Sequence, residues 1–573
     1  MARFETEVLI IGSGPAGLSS AALLSTYGVS NIVVEKYGWL ADTPRAHITN
    51  QATMEVFRDL GIEGAALKHA TGQGEMANNT FCYSLAGEEF GRVLSWGNHP
   101  ARKADYDLAS PCSMCDLPQT YLEPMLLECA GQRGSKIMFN SEYVSLVQDE
   151  DGVTATIKDR LNGETFEIRA KYMIGADGAR SKVVDDLGLP LDGEMGLSGS
   201  MNILFDADLS KYAAHRPSVL YWILQPGAQI GGIGAGVIRM VRPWNEWLAI
   251  WGYDISEGEM KLSEEEAIKI VHQLVGDDTI DVKVRSTSTW TVNEMWATQI
   301  SKGRVFCMGD AIHRHPPLNG LGSNTSIQDA QNLAWKLAAV LKGQAGKALL
   351  NSYQDERAPV AEKIVKRANK SIGDYPPIFE ALGLIGSDDP TAAIESRKDA
   401  TAQGASRRES LYKAIRQKNY EFNCHGVELN NRYRSHAVVS DGSPEPEYTR
   451  DPELYYHATT WPGARLPHVW LNRNGEKVSS KDLAGKGQFT LLTGIGGEVW
   501  IEAAKAVGIE ALTIGPEGCD AYDIFADWYH ASEISEEGCV LVRPDGYVGW
   551  RSAGMPENAR EILGEIIGHI LAR

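Results

Sequence analysis

The chain has 573 residues, 43% of them hydrophobic and 23% charged, with a formal net charge of −20 at pH 7. That length buries a large core and implies about two to four domains, while the acidic balance argues against nucleic acid or an anionic membrane as a partner. No apolar stretch approaches the roughly 18 uninterrupted residues of a membrane span, and eight cysteines are too sparse for a disulfide scaffold. The first residues run straight into a strand with no room for a secretory leader, so a cytoplasmic protein with free thiols is expected.

The apolar run Val8–Ile11 predicts a buried strand that leads into Gly12-Ser13-Gly14-Pro15-Ala16-Gly17 and then the helix Leu18–Tyr27. A second run, Asn31–Val34, ends in Glu35 and Lys36. This is the βαβ dinucleotide fingerprint. Gly12 makes the tight turn, Gly14 lets a pyrophosphate approach the backbone, and Gly17 lets helix and strand pack closely. Glu35 stands where a carboxylate can accept bonds from ribose hydroxyls. Cys112 and Cys115 form the one CxxC, but Pro111 and Pro118 flank it and no second pair completes a metal site, so it reads as a loop before the helix from Gln119. No metal is expected anywhere in the chain.

Met173–Ala176 reads as a strand ending in the turn Asp177-Gly178. Between 186 and 300 the pattern changes to strands, Ser200–Phe205, Val219–Leu224, Gly236–Arg242 and Trp247–Asp254, and Gly231–Gly236 reads as a turn between two of them. The run Val305–Met308 then stops at Gly309-Asp310. A loop of small and cyclic residues follows, and next a helix with Ile327, Ala330, Leu333, Ala334 and Leu337 on one face. Such a loop brings backbone close to a ligand, and the helix start offers unpaired N–H groups. Residues 350–455 read as helical, then irregular, with Ser443–Glu447 as linker. From Pro462 onward, strands at His468–Leu471, Phe489–Thr493, Glu510–Thr513 and Cys539–Val542 alternate with helices at Glu498–Val507 and Glu557–Ala572.

The trio of GxGxxG, Asp177-Gly178 and Gly309-Asp310 resembles the group A flavoprotein aromatic monooxygenases. Within them, Pro44–Gly61 and Gly309–Leu337 are most similar to the phenol hydroxylase and 2,4-dichlorophenol 6-monooxygenase branch. The resemblance implies an α/β fold: a Rossmann-type FAD-binding domain like that of p-hydroxybenzoate hydroxylase, an inserted β-rich substrate domain and a C-terminal thioredoxin-like domain. The expected boundaries are 1–185 and 301–370 for the FAD-binding part, 186–300 for the substrate sheet, 371–461 for a connection and 462–573 for the last domain. That last domain has only Cys519 and Cys539, far apart, and is expected to be structural, at a subunit interface of a homodimer or homotetramer.

The same resemblance implies FAD reduced by NADPH or NADH, and oxygen transfer from O2 through a flavin C4a-hydroperoxide to a carbon ortho to a phenolic hydroxyl. It assigns Glu35 to the FAD ribose next to the adenine, Arg45 to the pyrophosphate, Gln119 to the ribityl or ribose, Asp310 to the ribityl chain, and the region of Asp177 to both FAD and NAD(P)H. Pro316 and Pro317 would shape the floor beneath the isoalloxazine, with Pro316 also on the substrate side, and backbone from Gly320 through Gly322, Ser323 and Asn324 would meet its pyrimidine edge. One departure is visible: the family's Ser-x-Val-Arg stands here as Ser181-Lys182-Val183-Val184. His47 lies where related phenol hydroxylases carry a carboxylate that takes the phenolic proton, and a histidine near pKa 6.5 suits that task. The other reading is a histidine that merely bonds a backbone carbonyl. Trp222, Trp247 and Trp251 are expected to wall an aromatic pocket, with Arg239 able to pair a substrate anion. A hydroxybenzoate or polyketide-type phenol is the alternative substrate. A halogenase is less favoured, since no Trp-x-Trp-x-Ile-Pro string occurs.

Overall fold

The computed structural model describes residues 3–226 and 235–573, so positions 231–234 of the expected Gly-rich turn lie outside the described residues. The first sheet is built on Arg3–Ile11. Asn31–Val34 and Thr165–Gly175 pair with it in parallel on either side, Lys136–Met138 continues beyond the former and Val305–Cys307 beyond the latter. The register sets Ile11 opposite both Val34 and Gly175, and Gly175 opposite Cys307. Three glycine-bearing motifs and Glu35 therefore emerge together at the carboxyl edge of one parallel sheet, where open α/β sheets bind ligands.

Steric fit explains the glycines. A Cβ on Gly12, whose φ is +102°, would stand 2.3 Å from the Ala176 carbonyl oxygen, and one on Gly17 would stand 2.0 Å from the Gly12 oxygen. Gly309, at φ +63°, packs against Ala16 and Ser326 in the same way. The helix Pro15–Thr26 is buried on every side from Ala16 to Leu24, because the sheet lies on one flank and helices Gln119–Gln132 and Gly322–Leu341 lie on others.

The second sheet runs in the order His313–Arg314, Lys283–Ala297, Leu191–Asp206, Glu246–Tyr253, Gly236–Arg242, Leu220–Ile223, Asn78–Cys82, Glu89–Leu94. Two of its strands come from the stretch 78–94, inside what the sequence reads as FAD-binding fold. The strand Lys283–Ala297 escaped the sequence reading because its first half alternates Arg, Ser and Thr with little apolar content. Side chains alternate across this sheet. Tyr221, Ile223, Ile238, Met240, Trp247 and Ala249 pack beneath the helix Glu264–Val275, whereas Trp222 and Val237 pack on the other face with Tyr375, Phe379 and Phe422. Helices between Pro376 and Leu429, the longest of them Ala402–Gln417, thus form a further wall over that face.

The C-terminal sheet contains seven strands, with Thr490–Thr493 parallel to Glu510–Gly515 and antiparallel to Cys539–Val542, and helices Glu498–Val507 and Ala559–Ile570 pack together against it. Cys539 is buried in its strand and Cys519 sits on a separate loop, and burial pushes both thiols up. The segment 430–447 is pinned rather than loose: Arg432 reaches Glu445 at 3.0 Å, and Arg551 reaches Asp441 at 2.6 Å. No helix among the described residues is long and apolar enough to cross a membrane.

Candidate active site

At the carboxyl edge of the first sheet, two helices begin without a side-chain cap. The helix Pro15–Thr26 has Gly14 at its N-cap and no side-chain cap, and the helix Gly322–Leu341 is likewise uncapped. The first amides of each are left to a ligand, which is the arrangement that holds phosphate and other electron-rich groups. A Cβ on Gly14 would find no atom nearer than 3.9 Å, so open space lies in front of it, in contrast to Gly12 and Gly17. Glu35 is held by Ser13, whose backbone N and Oγ both donate to Oε2 at 2.9 Å, and by Tyr37 N, which donates to Oε1 at 3.0 Å. Lys36 is half-buried beside it, over the Tyr37 ring. Arg45 is exposed in a turn that forces Ala46 to φ +36°, and neither its guanidinium nor the Asp310 carboxylate bonds another side chain among the described residues. A nucleotide-bearing group with a pyrophosphate and a polyol chain fits these residues, and FAD is such a group.

The contact expected of Asp177 changes. The Asp177 carboxylate accepts from Ser181 Oγ at 2.6 Å and from Val183 N at 3.1 Å, so it caps the helix Lys182–Leu187 rather than standing free for a ligand. Burial pushes its pKa up. The Asn324 side chain donates to the Ile48 and Gly320 carbonyls and accepts from Asn50 N at 3.0 Å. It braces the loop, and only its backbone remains for a ring edge. Pro316 is buried and its carbonyl accepts from His315 Nδ1 at 2.6 Å, while Pro317, Gly322 and Ser323 keep exposed or half-buried positions at the rim. Gly320 is forced by Ile48, whose Cβ would lie 2.9 Å from an added Cβ.

The two glycine-rich ends meet a third segment through a short antiparallel ladder. Ile48 pairs with Asp116 and Thr49 with Cys115, then Leu117 N donates to the His47 carbonyl at 2.7 Å and Gln119 N to that of Arg45 at 3.0 Å. This places His47 Nδ1 3.0 Å from Asp116 Oδ2. The Asp116 side chain is 0% exposed, whereas 17% of the His47 side chain stays open, and its Nε2 has no partner among the described residues. Asp116 Oδ1 in turn faces Arg239 Nη2 at 3.4 Å, and Arg239 Nη1 donates to the Pro44 carbonyl. Burial and Arg239 push His47 below its ordinary pKa, with Asp116 opposing, so the ring is neutral at pH 7.

Trp222 shares the face of Arg239, since Val237 lies opposite Trp222 and Leu220 opposite Arg239 in the register. Its ring sits 4.7 Å from Tyr375 and 6.2 Å from Phe81, and its indole N–H has no partner among the described residues. Trp247 and Trp251 do not belong to this wall. They point to the opposite face, where Trp247 is fully buried and donates to the Ala207 and Trp244 carbonyls, so the substrate role expected of both is corrected by strand parity. Arg239 is corrected too: its guanidinium is committed to Asp116 and Pro44 and is no free counter-ion for a substrate.

Asp116 and Glu123 are site residues that the sequence reading missed. Glu123 follows Gln119 by one helical turn, a legible i,i+4 pair. It accepts from Gln119 Nε2 at 2.6 Å and Ala41 N at 2.8 Å and lies nearest to Gly14. Asp116 carries no local signal, because only the pairing of distant segments brings it to His47. A separate open groove of about 810 Å3 near Tyr172, Arg304 and Asn351 lies toward the amino end of the Val305–Cys307 strand, away from all these groups.

A family model described as FAD binding domain matches residues 5–368, and one described as Aromatic-ring hydroxylase, C-terminal, matches 459–571. The chain belongs to the FAD-dependent aromatic-ring hydroxylases. Within them it is 54% identical to 2,4-dichlorophenol 6-monooxygenase of Delftia acidovorans, over 99% of this chain and 98% of that one. It is 49% identical to phenol 2-monooxygenase of Pseudomonas sp. (strain EST1001), over 98% and 92% respectively. Its fold superposes with a TM-score of 0.95 on the flavin-dependent monooxygenase PieE in complex with FAD and substrate, at 44% identity over 99% of each chain. Its fold and chemistry are those of a flavin monooxygenase of the phenol hydroxylase group, with FAD as its cofactor.

Proposed function

We propose that this enzyme hydroxylates a neutral, substituted phenol ortho to its hydroxyl, using NADPH or NADH and O2, with His47 as the proton acceptor. Bound FAD supplies the redox chemistry, and the chain supplies orientation, water exclusion and proton control. The observation that carries the reading is the His47 imidazole, held by Asp116 at Nδ1 two residues after Arg45, with Nε2 without a partner among the described residues. A phenol of pKa near 10 costs about 4 kcal/mol to ionise at pH 7, and a positioned base offsets that cost in the transition state. Glu35, Arg45, Gln119, Asp310 and the amides from Gly14 to Gly17 and Gly320 to Asn324 would hold the cofactor, and Trp222 with Phe81, Tyr375 and Phe422 gives the aromatic wall.

A benzoate is disfavoured because the buried cation on this face, Arg239, is already paired, and an unpaired carboxylate in an apolar pocket costs several kcal/mol. Relatives at greater distance, such as the aklavinone-11 hydroxylase whose complex with FAD and aklavinone superposes with a TM-score of 0.83, favour the larger polyketide-type phenol as the second reading. The test is NAD(P)H oxidation over substituted phenols, hydroxybenzoates and polycyclic phenols, with product identified. Catechol formation from a monocyclic phenol supports the proposal, and coupled turnover confined to hydroxybenzoates overturns it.

Asp310→Ala is expected to weaken FAD retention about tenfold or more, as befits one charge-assisted hydrogen bond of roughly 1.5–3 kcal/mol. Unchanged flavin occupancy on dilution would remove the ribityl role. We further infer a cytoplasmic homodimer or homotetramer. The exposed Ile524, Phe525 and Tyr529 on the C-terminal domain give it an apolar surface to bury.

A further inference from the structure

We propose that Asp116 and Arg239 are positioning residues for proton transfer: the carboxylate fixes the His47 ring with Nδ1 protonated and Nε2 aimed at the substrate, and the guanidinium holds that carboxylate in place. The inference rests on the reading of His47 as base and adds what makes it competent.

An imidazole in water exchanges its proton between two nitrogens, and which one it keeps in a protein is set by the hydrogen bond that the other ring nitrogen makes. Here Nδ1 faces a carboxylate that is 0% exposed and that can only accept, which assigns the proton to Nδ1 and leaves the lone pair on Nε2, the nitrogen without a partner among the described residues. The geometry is over-determined. Asp116 is locked by the ladder pairing with Ile48, and Arg239, 2% exposed, reaches both Asp116 and the Pro44 carbonyl three residues before His47. One guanidinium therefore ties the substrate sheet to both strands of the loop that carries the base.

In the step itself, the phenolic O–H bond breaks and an Nε2–H bond forms on His47, leaving phenolate and imidazolium. Asp116 takes no proton and stabilises the new positive charge. Among the described residues, the charged groups that act on the ring are Asp116 and Arg239, which touch each other at 3.4 Å, with Arg242 acting on both of them and Glu246 on Arg239 from neighbouring strand positions. Burial and Arg239 favour the neutral ring while Asp116 favours the charged one, so the base is free at neutral pH yet can accept a proton.

The test uses the FAD-loaded enzyme. Nitrogen-15 NMR of His47 in the wild-type protein is expected to show the Nδ1–H tautomer, and the Nε2–H tautomer would overturn the proposal whether or not any variant folds. Asp116→Asn is expected to keep FAD and to lower kcat/KM on the order of 10²-fold for a weakly acidic phenol. For a phenol already ionised at the assay pH it should fall only a few-fold. The acidic limb of the pH profile should also move to lower pH, because Arg239 then acts on His47 unopposed. Equal loss on both phenols with an unmoved limb would mean that Asp116 only supports the fold. If His47→Ala abolishes turnover while Asp116→Asn is normal on both phenols, the positioning claim alone fails. If His47→Ala is fully active, the base reading fails first.

Discussion

Replacing His47 with alanine should cost on the order of 10²–10⁴ in coupled hydroxylation at neutral pH while FAD content stays at the wild-type level. Among the described residues the side chain makes one hydrogen bond, to Asp116, and none to the loops that would cradle FAD, so its loss spares cofactor binding. What it removes is the acceptor for a proton that bulk water takes poorly. Without it, only substrate already ionised in solution reacts, and that fraction grows about tenfold per pH unit below the phenol's own pKa. The variant's rate should therefore climb with pH and approach wild type near that pKa, while NAD(P)H oxidation without product increases at neutral pH. Product formation is measured by chromatography beside NAD(P)H consumption. A variant with wild-type coupled turnover from pH 6 to 9 would assign the proton to another group.

The glycine motifs were legible because each of these residues answers a local steric demand. Gly12 must avoid Ala176, Gly17 must avoid Gly12, and Gly309 must approach Ala16, so three glycine positions report one convergence of strands. The substrate half was less legible because it depends on parity and on pairing. Trp222 and Trp247 are equally aromatic in sequence, yet one faces the loop of His47 and the other faces the helix Glu264–Val275. Arg239 reads as a free cation until Asp116, 123 residues away, is brought against it. The wall from Tyr375 and Phe422 was hidden for the same reason: it is supplied by short helices whose apolar residues have no visible destination until the sheet is folded. Polar strands such as Lys283–Ala297 escape periodicity because pairing, not burial, defines their early half.

Replacing Glu356 with glutamine should destabilise the whole molecule by about 3–5 kcal/mol, the range found when one partner of a buried ion pair is removed. Glu356 is fully buried on the helix Asn351–Ile372, where it meets Lys336 at 2.7 Å from the helix that leaves the flavin loop and Arg543 at 2.6 Å from the C-terminal domain. Asn332 and Ser435 also donate to it at 2.6 and 2.7 Å, and Arg543 also bonds Asp545. One carboxylate thus clamps the cofactor fold to the last domain, and without it two buried cations share Asp545. The two cations beside it hold the Glu356 carboxyl well below the usual range, so in the wild type this contribution is present above pH ~4.3 and is lost as pH falls through the folded value. Burial already pulls Lys336 down to about 8, and in the variant it falls further because its nearest anion is gone. The unfolded chain then binds more protons than the folded one, so the variant's stability rises with pH and its deficit narrows between pH 6 and 9. Urea unfolding at several pH values, with the rate of thermal inactivation beside it, reads both effects. A deficit below about 1 kcal/mol that does not change with pH would show that Asp545 alone neutralises the cluster.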